Sequence, residues 1–508
     1  MQGTIADNKR IAKNTIFLYA RMVVVMLISL FSTRELLRVL GVEDYGVYNV
    51  VCGFVSMFAF LNTSMANGTQ RFYNFEIGKN QGKELNKIFT HAMYIQLAIS
   101  LLIVFAVETF GLWYLNNKMV IPDNRFSTAS WIFQFALLKL LMIMIAVPYS
   151  AAIMAYEHMN FYALLSILDS VLNLLIVYSL SLFETDFLML YGLLSLFVGV
   201  INLILNVAYC KKKFKNVSFI GGFDKDLFKG MFSFSGWNIF GSLAHMMKGQ
   251  GVNMVFNFFW GPIVNAANGV AAQINNAINS LTTGFLTATR PQMIQNYASG
   301  NIDYFKKMYY STSKLAFYLI MVLVVPIVFD VRDILNVWLG EGNYPEITVI
   351  MCQMTLIATL CGSYATPTSI VAHATGKMKK FQVLVSSVLL CEVPFAIVAA
   401  KLGLEAFVII IISAILNLIA QVVRLFIIRE QVGFSIMQYT KFVFYPTLAV
   451  FLLSLVLSFL VHSILHVTGL LVVVHLFISF IISTVSILLL GLDKSERNLI
   501  FSLIKKHF

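Results

Sequence analysis

A series of long apolar segments constrains this chain more than any other feature. A spanning helix needs about 20 mostly apolar residues. Fourteen such segments follow one another with short linkers, near residues 14–40, 45–69, 88–114, 130–152, 161–182, 187–210, 233–259, 265–288, 309–329, 347–374, 381–400, 405–424, 442–465 and 468–491. Only 12% of the 508 residues are charged, against about 25% in soluble domains. The sequence therefore predicts an all-α polytopic membrane protein with fourteen transmembrane helices, and it excludes a barrel of roughly ten-residue strands.

Positive charge is concentrated on one side of the predicted topology. The chain has 36 Lys and Arg residues against 24 Asp and Glu residues, a net charge of +12. With the N-terminus in the cytoplasm, 27 of the 36 cations fall in or beside cytoplasmic segments, six in outside loops and three inside the membrane. Because cytoplasmic loops are enriched in Lys and Arg, both termini are predicted to be cytoplasmic. The basic character then reflects topology and not nucleic-acid binding.

Two parts of the chain match weakly at a constant offset of 220 residues. Segments 41–87 and 261–307 each contain a tight turn, a polar-striped helix and a basic segment. The matched pairs are Gly41 and Gly261, Val50 and Val270, Thr63 and Thr283, Thr69 and Thr289, and Lys87 and Lys307. Six predicted helices separate the copies, and an even number preserves orientation, so the pattern predicts two parallel six-helix pseudo-repeats. The predicted parts are an N-lobe at 1–215, a C-lobe at 216–430, and two extra helices with a cytoplasmic tail at 431–508, where 494–508 is expected to form an amphipathic helix.

Polar side chains within the apolar segments mark the candidate site. Residues 233–289 contain ten Asn or Gln, one His, one Lys and no Asp or Glu. Unpaired polar groups are costly in hydrocarbon, so these side chains are expected to face a partner or a water-filled cavity. The candidates for a polar, substrate-binding lumen are Asn49, Asn67, His245, Asn253, Asn268, Asn275 and Asn279. Interhelical hydrogen bonding with packing of small residues is the alternative interpretation.

Three cations lie within predicted spans, namely Arg21, Lys139 and Lys248. Charged residues at that depth usually face an interior cavity, and Arg and Lys both bind phosphate groups. We therefore expect these cations to bind an anionic headgroup, with Arg21 and Lys248 facing each other across a cleft. Snorkelling of Arg21 to the interface is the alternative. Asp169 and Glu392 are candidates for ion coupling, since burial raises a carboxyl pKa, and pairing with Lys139 is an equally good role for Asp169.

Features that suggest an enzyme are scarce. Glu43 and Asp44 in the first outside turn, and the DxD sequence at 224–226, are the features that a polytopic glycosyltransferase or polymerase would share. His158 and His245 lack companion ligands at metal-binding spacing. There is no Walker A sequence and no nucleophile elbow. The sequence therefore predicts a protein that is not an enzyme and that needs neither a metal nor another cofactor.

Three short motifs carry a resemblance to a known family. They are NKRIAKNT at 8–15, LGVEDYGVY at 40–48, with an LGxxxYG turn, and NGTQR at 67–71. Together with the span count, these motifs resemble the polysaccharide-transport branch of the MOP flippase superfamily, that is, Wzx-like O-antigen or lipopolysaccharide flippases.

The resemblance implies a specific transport activity. The expected substrate is an undecaprenyl-diphosphate-linked oligosaccharide that moves from the cytoplasmic to the periplasmic leaflet of the bacterial inner membrane by alternating access. The implied partners are this lipid-linked oligosaccharide, membrane lipids and other polysaccharide-assembly proteins, without nucleic acid, and the protein is expected to be monomeric. A lipid II flippase is a close alternative. A multidrug cation antiporter is a further one, although the first, second, seventh and eighth predicted helices lack a central acid.

Overall fold

The structure is a computed structural model that describes residues 2–80, 82–117, 119, 121–342, 344–465, 469, 471–493 and 496–497. The side chains of residues 2–13 and of some further helical positions, Asn49 among them, lie outside the description. All regular structure in the described residues is helical. The predicted amphipathic helix at 494–508 falls almost entirely outside the described residues.

Eighteen α-helices follow one another along the described chain. Their bounds are α1 Gln2–Ser56, α2 Ala59–Asn80, α3 Leu85–Ala106, α4 Leu112–Asn117, α5 Phe126–Ala155, α6 Met159–Leu180, α7 Phe187–Lys213, α8 Lys225–Ala298, α9 Ile302–Phe329, α10 Val331–Leu339, α11 Ile347–Gly362, α12 Ala365–Thr375, α13 Met378–Leu390, α14 Glu392–Lys401, α15 Phe407–Val432, α16 Ile436–Tyr439, α17 Tyr445–Leu465 and α18 Leu471–Ser486. Three π-helical turns continue α3, α16 and α18, at Val107–Gly111, Thr440–Phe444 and Ile487–Gly491.

Ten helical stretches of the described chain are long and apolar enough to cross a membrane. They are Leu85–Asn117, Asp123–Ala155, Met159–Leu180, Phe187–Lys213, Ile302–Phe329, Ile347–Thr375, Met378–Lys401, Phe407–Val432, Ile436–Leu465 and Leu471–Gly491. Each coincides with one predicted segment, so ten predicted spans are confirmed as long apolar helices. The other four predicted segments lie in α1, α2 and α8, where only Asn14–Ser29 is a shorter apolar helix. The total of fourteen spans stays a prediction.

Two of the long helices contain a break at a single glycine. Gly41 in α1 has φ 75° and ψ 170°, and Gly261 in α8 has φ 78° and ψ −171°, a backbone region that is essentially restricted to glycine. In α8, Asn268 donates a hydrogen bond to Asn253 at 2.7 Å. Fifteen residues along a straight helix would separate these side chains by about 22 Å, so the chain doubles back at Gly261. The tight turn predicted before the eighth segment is confirmed.

Like the predicted segment 347–374, which has a turn at Ser363 and Tyr364, the second predicted segment, 45–69, is interrupted. It is divided between the end of α1 at Ser56 and the start of α2 at Ala59, with a turn at Met57 and Phe58 between them. The polar stripe that the sequence places on one helix face is therefore distributed over two helices. An apolar sequence continues through the turn, which is why hydropathy alone does not reveal the break.

The chain divides into two compact units at Ile239 and Phe240, a boundary that lies within α8. In the first unit, Lys13–Ile239, α5 packs against α7, α2 and α3 around a core that includes Phe89, Ile132 and Phe133. In the second unit, which contains the described residues from Phe240 onward, α11, α13 and α14 pack against α15, while α17 and α18 pack against α9. The predicted limits at 215 and 430 stay predictions.

Candidate functional site

Two predicted cations of the first unit are bonded to neutral side chains. Arg21 on α1 donates to the Ser166 hydroxyl on α6 at 3.4 Å, and its guanidinium carbon lies 5.1 Å from the centre of the Tyr162 ring. The Arg21 Nε is buried and has no hydrogen-bond partner in the described part of the chain. Lys139 on α5 donates to the Ser195 hydroxyl on α7 at 2.6 Å. No carboxylate of the described residues forms an ion pair with either cation, so their positive charge is not neutralised by a direct partner.

Lys139 also lines a cavity of about 190 Å³ in the first unit. The cavity wall includes Tyr48 from α1, Cys52 from α1 and Gly192 from α7. The Lys139 side chain packs closely on α7, since its Cγ lies 3.1 Å from where a Cβ at Gly199 would stand. This lysine is therefore held at the edge of a mostly apolar cavity and offers one cationic group there.

Asp169 is bonded to amides. Its carboxylate accepts hydrogen bonds from Asn202 on α7 and, at 3.4 Å, from Asn173 one turn further along α6. It forms no ion pair with Lys139 among the described residues. The pairing of Asp169 with Lys139 that the sequence allows is therefore not formed in this structure, and the role of Asp169 in ion coupling stays a prediction.

Lys248 and Glu392, which the sequence assigns to different roles, form a buried ion pair in the second unit. The Lys248 ammonium on α8 lies 2.6 Å from a Glu392 carboxylate oxygen at the start of α14, and it also donates to the Ser413 hydroxyl on α15 at 3.3 Å. Their side chains are 11% and 4% exposed, respectively. This lysine therefore has a carboxylate partner that the sequence does not reveal, and its charge is balanced.

The predicted amides on α8 are bonded largely to one another. Besides the bond from Asn268 to Asn253, Asn279 donates to Asn275, and the Thr359 hydroxyl on α11 donates to the Asn275 side chain at 2.8 Å. The bonds of Asn268 to Asn253 and of Thr359 to Asn275 agree with the alternative interpretation, in which polar side chains join helices within the membrane, while the bond of Asn279 to Asn275 lies within one helix.

The remaining candidates have varied surroundings. His245 is exposed on α8, and Asn67 is half-buried on α2. The side chain of Asn49 lies outside the described residues. Arg21 belongs to the first unit and Lys248 to the second, so the predicted meeting of these two cations across a cleft stays a prediction.

Comparison with solved structures relates this helical arrangement to a known transporter fold. A MOP superfamily transporter from Pyrococcus furiosus, whose binding pocket is described as having reverse polarity that suggests a different function, superposes with a TM-score of 0.70 at 17% identity. A multidrug resistance MATE family transporter of the MOP superfamily, in an outward-facing conformation, gives 0.73 at 15% identity. A MATE transporter in a bent conformation gives 0.74 at 15% identity. Each match covers 84% of this chain and 96% of the other.

The fold of this chain is similar to the fold of these MOP-superfamily transporters. No family model matches the sequence, and a search of curated proteins finds no match. The likeness to solved structures therefore shows the fold alone and leaves the role, the branch and the substrate open. The resemblance noted from the sequence is confirmed at the level of the superfamily fold.

Within this MOP-superfamily fold, two buried cations escaped the sequence analysis. Lys314 on α9 is 2% exposed and pairs with Glu496 at 2.8 Å and Asp493 at 3.3 Å. Arg424 on α15 is 5% exposed, and its Nε has no hydrogen-bond partner among the described residues. Both lie inside predicted spans, at 309–329 and 405–424. This position within an apolar segment is the feature of the sequence that could have identified them as intramembrane cations. Because both residues lie near the predicted cytoplasmic ends of these spans, they were counted with the basic cytoplasmic segments.

Asp44, one of the acidic residues that suggested a glycosyltransferase, has a structural role. Asp44 is buried and forms an ion pair with Arg125, which also contacts Asp186 at 2.9 Å. Asp186 in turn caps the N-terminus of α7 by accepting from the amides of Leu188 and Met189. These contacts join α1, the turn before α5 and the start of α7.

Asp224 of the DxD sequence caps the N-terminus of α8. Its carboxylate accepts the backbone amides of Asp226 and Leu227, each at 3.0 Å, while its own amide donates to the His91 Nε2 at 2.7 Å. The bonds from the two backbone amides hold the pKa of the Asp224 carboxyl below its usual range. The spacing of the two aspartates is thus accounted for by helix capping.

Proposed function

We propose that this protein is a flippase that moves an undecaprenyl-diphosphate-linked oligosaccharide, the precursor of an O-antigen or another surface polysaccharide, from the cytoplasmic to the periplasmic leaflet. The observation that carries the proposal is the state of Arg21 and Lys139, two membrane-embedded cations with hydroxyl partners and no carboxylate partner. Charges inside membrane proteins are costly and mark substrate pathways. A diphosphate would supply the negatively charged partner that these cations lack. Arg in particular binds phosphate oxygens bidentately.

The proposed architecture has fourteen spans, six in each of two parallel pseudo-repeats and two more at the C-terminal end. The matching backbone conformations of Gly41 and Gly261 support the repeat, because the two glycines are the first matched pair of the 220-residue offset. We further propose a monomer in the bacterial inner membrane with both termini cytoplasmic, in contact with lipid-linked oligosaccharide, membrane lipids and other polysaccharide-assembly proteins. This is the arrangement expected of a Wzx-like member of the superfamily.

Two sources of energy fit the proposed transport. An interior-negative membrane potential favours outward movement of negative charge by about 2.3 kcal/mol per charge per 100 mV. Glu392 is the candidate for proton exchange, since protonation of its carboxylate would remove the charge that balances Lys248. Asp169, which is bonded to amides, is the second candidate.

The test is a complementation assay in a strain that lacks the protein, with lipid-linked oligosaccharide measured in each leaflet. Without the protein, the oligosaccharide is expected to accumulate in the inner leaflet. The Arg21→Gln/Lys139→Gln double variant is expected to cause the same accumulation while being present in the membrane at normal abundance. Lys211→Gln, at an exposed position at the end of α7, is the matched control and should restore export. Normal export by the double variant would contradict the proposal, and accumulation of lipid II instead would favour the lipid II flippase.

Multidrug cation antiport is the second candidate, favoured by the likeness to a multidrug resistance MATE transporter. An organic cation needs carboxylates, and Glu392 and Asp169 are the buried or half-buried acids that would serve. Export of ethidium from intact cells, lost in Glu392→Gln and retained in Arg21→Gln/Lys139→Gln, would support antiport against the flippase.

A further inference from the structure

Three side chains from distant parts of the sequence converge where α9 ends. Asp330 follows directly after α9, His462 lies near the end of α17 and His475 lies in the first turns of α18. One ligand atom from each side chain lies within 4.8 Å of the others. Asp330 and His475 have no exposed surface, and the side chain of His462 is 30% exposed. A carboxylate and two imidazoles therefore meet in a mostly buried place that no part of the proposed transport uses.

The hydrogen bonds of His475 determine which of its ring nitrogens carries a proton. Its Nε2 lies 3.1 Å from the backbone carbonyl oxygen of Ser458, which can only accept, and 3.0 Å from the hydroxyl of Ser479. Nε2 is therefore protonated, and in the neutral ring the Nδ1 carries a lone pair. That Nδ1 contacts a carboxylate oxygen of Asp330. Two lone pairs in contact repel, so the contact requires a positive charge there, supplied either by a proton on Nδ1 or by a metal ion that both atoms bind.

The second carboxylate oxygen of Asp330 has a similar neighbour. Its Oδ1 lies 3.1 Å from the Nδ1 of His462. Neither atom has an aligned hydrogen bond in the described part of the chain, although Asp330 has no exposed surface. A buried carboxylate without a compensating positive partner is strongly unfavourable. This oxygen is thus left without a hydrogen bond beside the imidazole nitrogen of His462.

We propose that Asp330, His462 and His475 bind a divalent transition-metal ion, with zinc as the preferred metal. Two imidazoles and a carboxylate are typical zinc ligands, at about 2.0–2.2 Å from the metal. Ligands at that distance on a tetrahedron are about 3.3 Å apart, close to the separation of Asp330 and His462. Metal-bound histidines usually donate the other ring nitrogen to a carbonyl oxygen, as His475 does to Ser458. The site has three protein ligands and leaves the fourth position for water or another ligand.

The site accounts for a contact between helices. It joins α9 to both α17 and α18, which also pack on each other and on α9. A bound metal would fix the position of this helix pair, the thirteenth and fourteenth of the predicted spans, on α9. The sequence predicts no metal site because the ligands are far apart along the chain and follow no metal-binding motif. The proposal is independent of the nature of the transported substrate.

The test uses the full-length protein in detergent, with any affinity tag removed and metals stripped by a chelator. Zinc is titrated in competition with a chromophoric chelator, and one equivalent is expected to bind. His462→Ala is expected to lower the affinity by more than about 100-fold, beyond the 10–100-fold typical for a partner outside the ligand shell. Asp330→Asn should do the same, and His158→Ala, which removes a histidine elsewhere, is the matched control that keeps one equivalent.

Cobalt(II) provides a second measurement that reports geometry. The wild-type protein is expected to give intense visible absorption bands of a four-coordinate site, and His462→Ala is expected to lose them. Gel filtration and far-UV circular dichroism establish that the variants are folded, and His462, being partly exposed, is the safest ligand to replace. The proposal is overturned if the wild-type protein binds zinc no more tightly than the His462→Ala variant does. It is also overturned if the cobalt spectrum of that variant is the same as that of the wild type. Either result would mean that protons alone neutralise Asp330.

Discussion

At the scale of single residues, four buried or half-buried cations differ in how their charge is balanced. Arg21 and Lys139 donate to serine hydroxyls, whereas Lys248 and Lys314 each contact carboxylates. A hydroxyl satisfies a hydrogen bond and leaves the charge in place, while a carboxylate neutralises it. Of these four, the first two therefore keep a charge that no carboxylate balances, and the other two hold helices together.

The pair Lys248 and Glu392 leads to a prediction about stability. Lys248→Met leaves Glu392 buried without its partner and is expected to lower the free energy of unfolding by about 3–5 kcal/mol. The double variant Lys248→Met/Glu392→Leu removes both charges and is expected to lie close to the wild type. Equilibrium unfolding in mixed detergent micelles measures both effects, with Lys211→Met as a surface control. If the double variant is less stable than Lys248→Met alone, the ion pair does not have the proposed structural role.

The capping residue Asp224 gives a prediction about pH. Its folded-state pKa is lowered, so the cap contributes fully above the ordinary aspartate pKa of about 3.9 and is lost as the pH falls through the lowered value. Asp224→Asn keeps a capping side chain that does not titrate. The melting temperature of the wild type relative to that of Asp224→Asn is therefore expected to be constant above about pH 5. It is expected to fall between about pH 4 and 2, because only the wild type loses its charged cap there. A difference that stays the same over the whole range would contradict this role.

At the scale of elements, hydropathy predicts the apolar helices well and their interruptions poorly. Ten predicted segments correspond to apolar helices, because about 20 apolar residues in a row leave few alternatives in a membrane. The break at Met57 and Phe58 and the π-helical turns, such as Val107–Gly111, lie in sequence that is equally apolar on both sides. Those features depend on packing between helices, which a single segment does not encode.

Close packing of α2 on the first part of α8 gives a prediction at this scale. A Cβ at Gly68 would lie 2.7 Å from the Ser235 hydroxyl, so Gly68→Ala is expected to cost about 1–3 kcal/mol through overpacking. Adding Ser235→Ala removes that oxygen and should recover much of the loss, a non-additive result. Gly53→Ala, where a Cβ would meet nothing within 4 Å, is the control in detergent unfolding experiments. Equal stability of Gly68→Ala and Gly53→Ala would show that the helices are not in contact there.

At the scale of the whole molecule, the sequence predicted the helical membrane fold, whereas the site residues stay predictions and their bonding partners were not predicted. The motif at 40–48 and the order of apolar segments were sufficient for the fold, because both are local features. Lys139, Lys248 and the amides of α8 were recognised as costly polar groups. The pairing of Lys248 with Glu392 was missed because the two residues lie on helices far apart in the chain, and only tertiary structure brings them together.

The proposed repeat predicts equal effects of substitution at Gly41 and Gly261. Both residues occupy a backbone region that costs about 1–3 kcal/mol for other residues, and a Cβ at either would meet nothing within 4 Å. Gly41→Ala and Gly261→Ala are therefore each expected to lower stability by that amount through backbone strain alone. Gly269→Ala, within the helical part of α8 and equally open, should be neutral or stabilising. A large loss in one variant and none in the other would contradict the equivalence of the two turns.

The reversal at Gly261 has a mechanical consequence for the two arms of α8. One residue makes the whole turn, so there is no slack in the connection, and the bond between Asn253 and Asn268 closes the two arms on each other just beyond it. Sliding of one arm along the other would break that bond in a medium that offers no replacement from water. The tip of the hairpin is thus stiff, and any rearrangement of α8 near Gly261 has to carry both arms along as one piece.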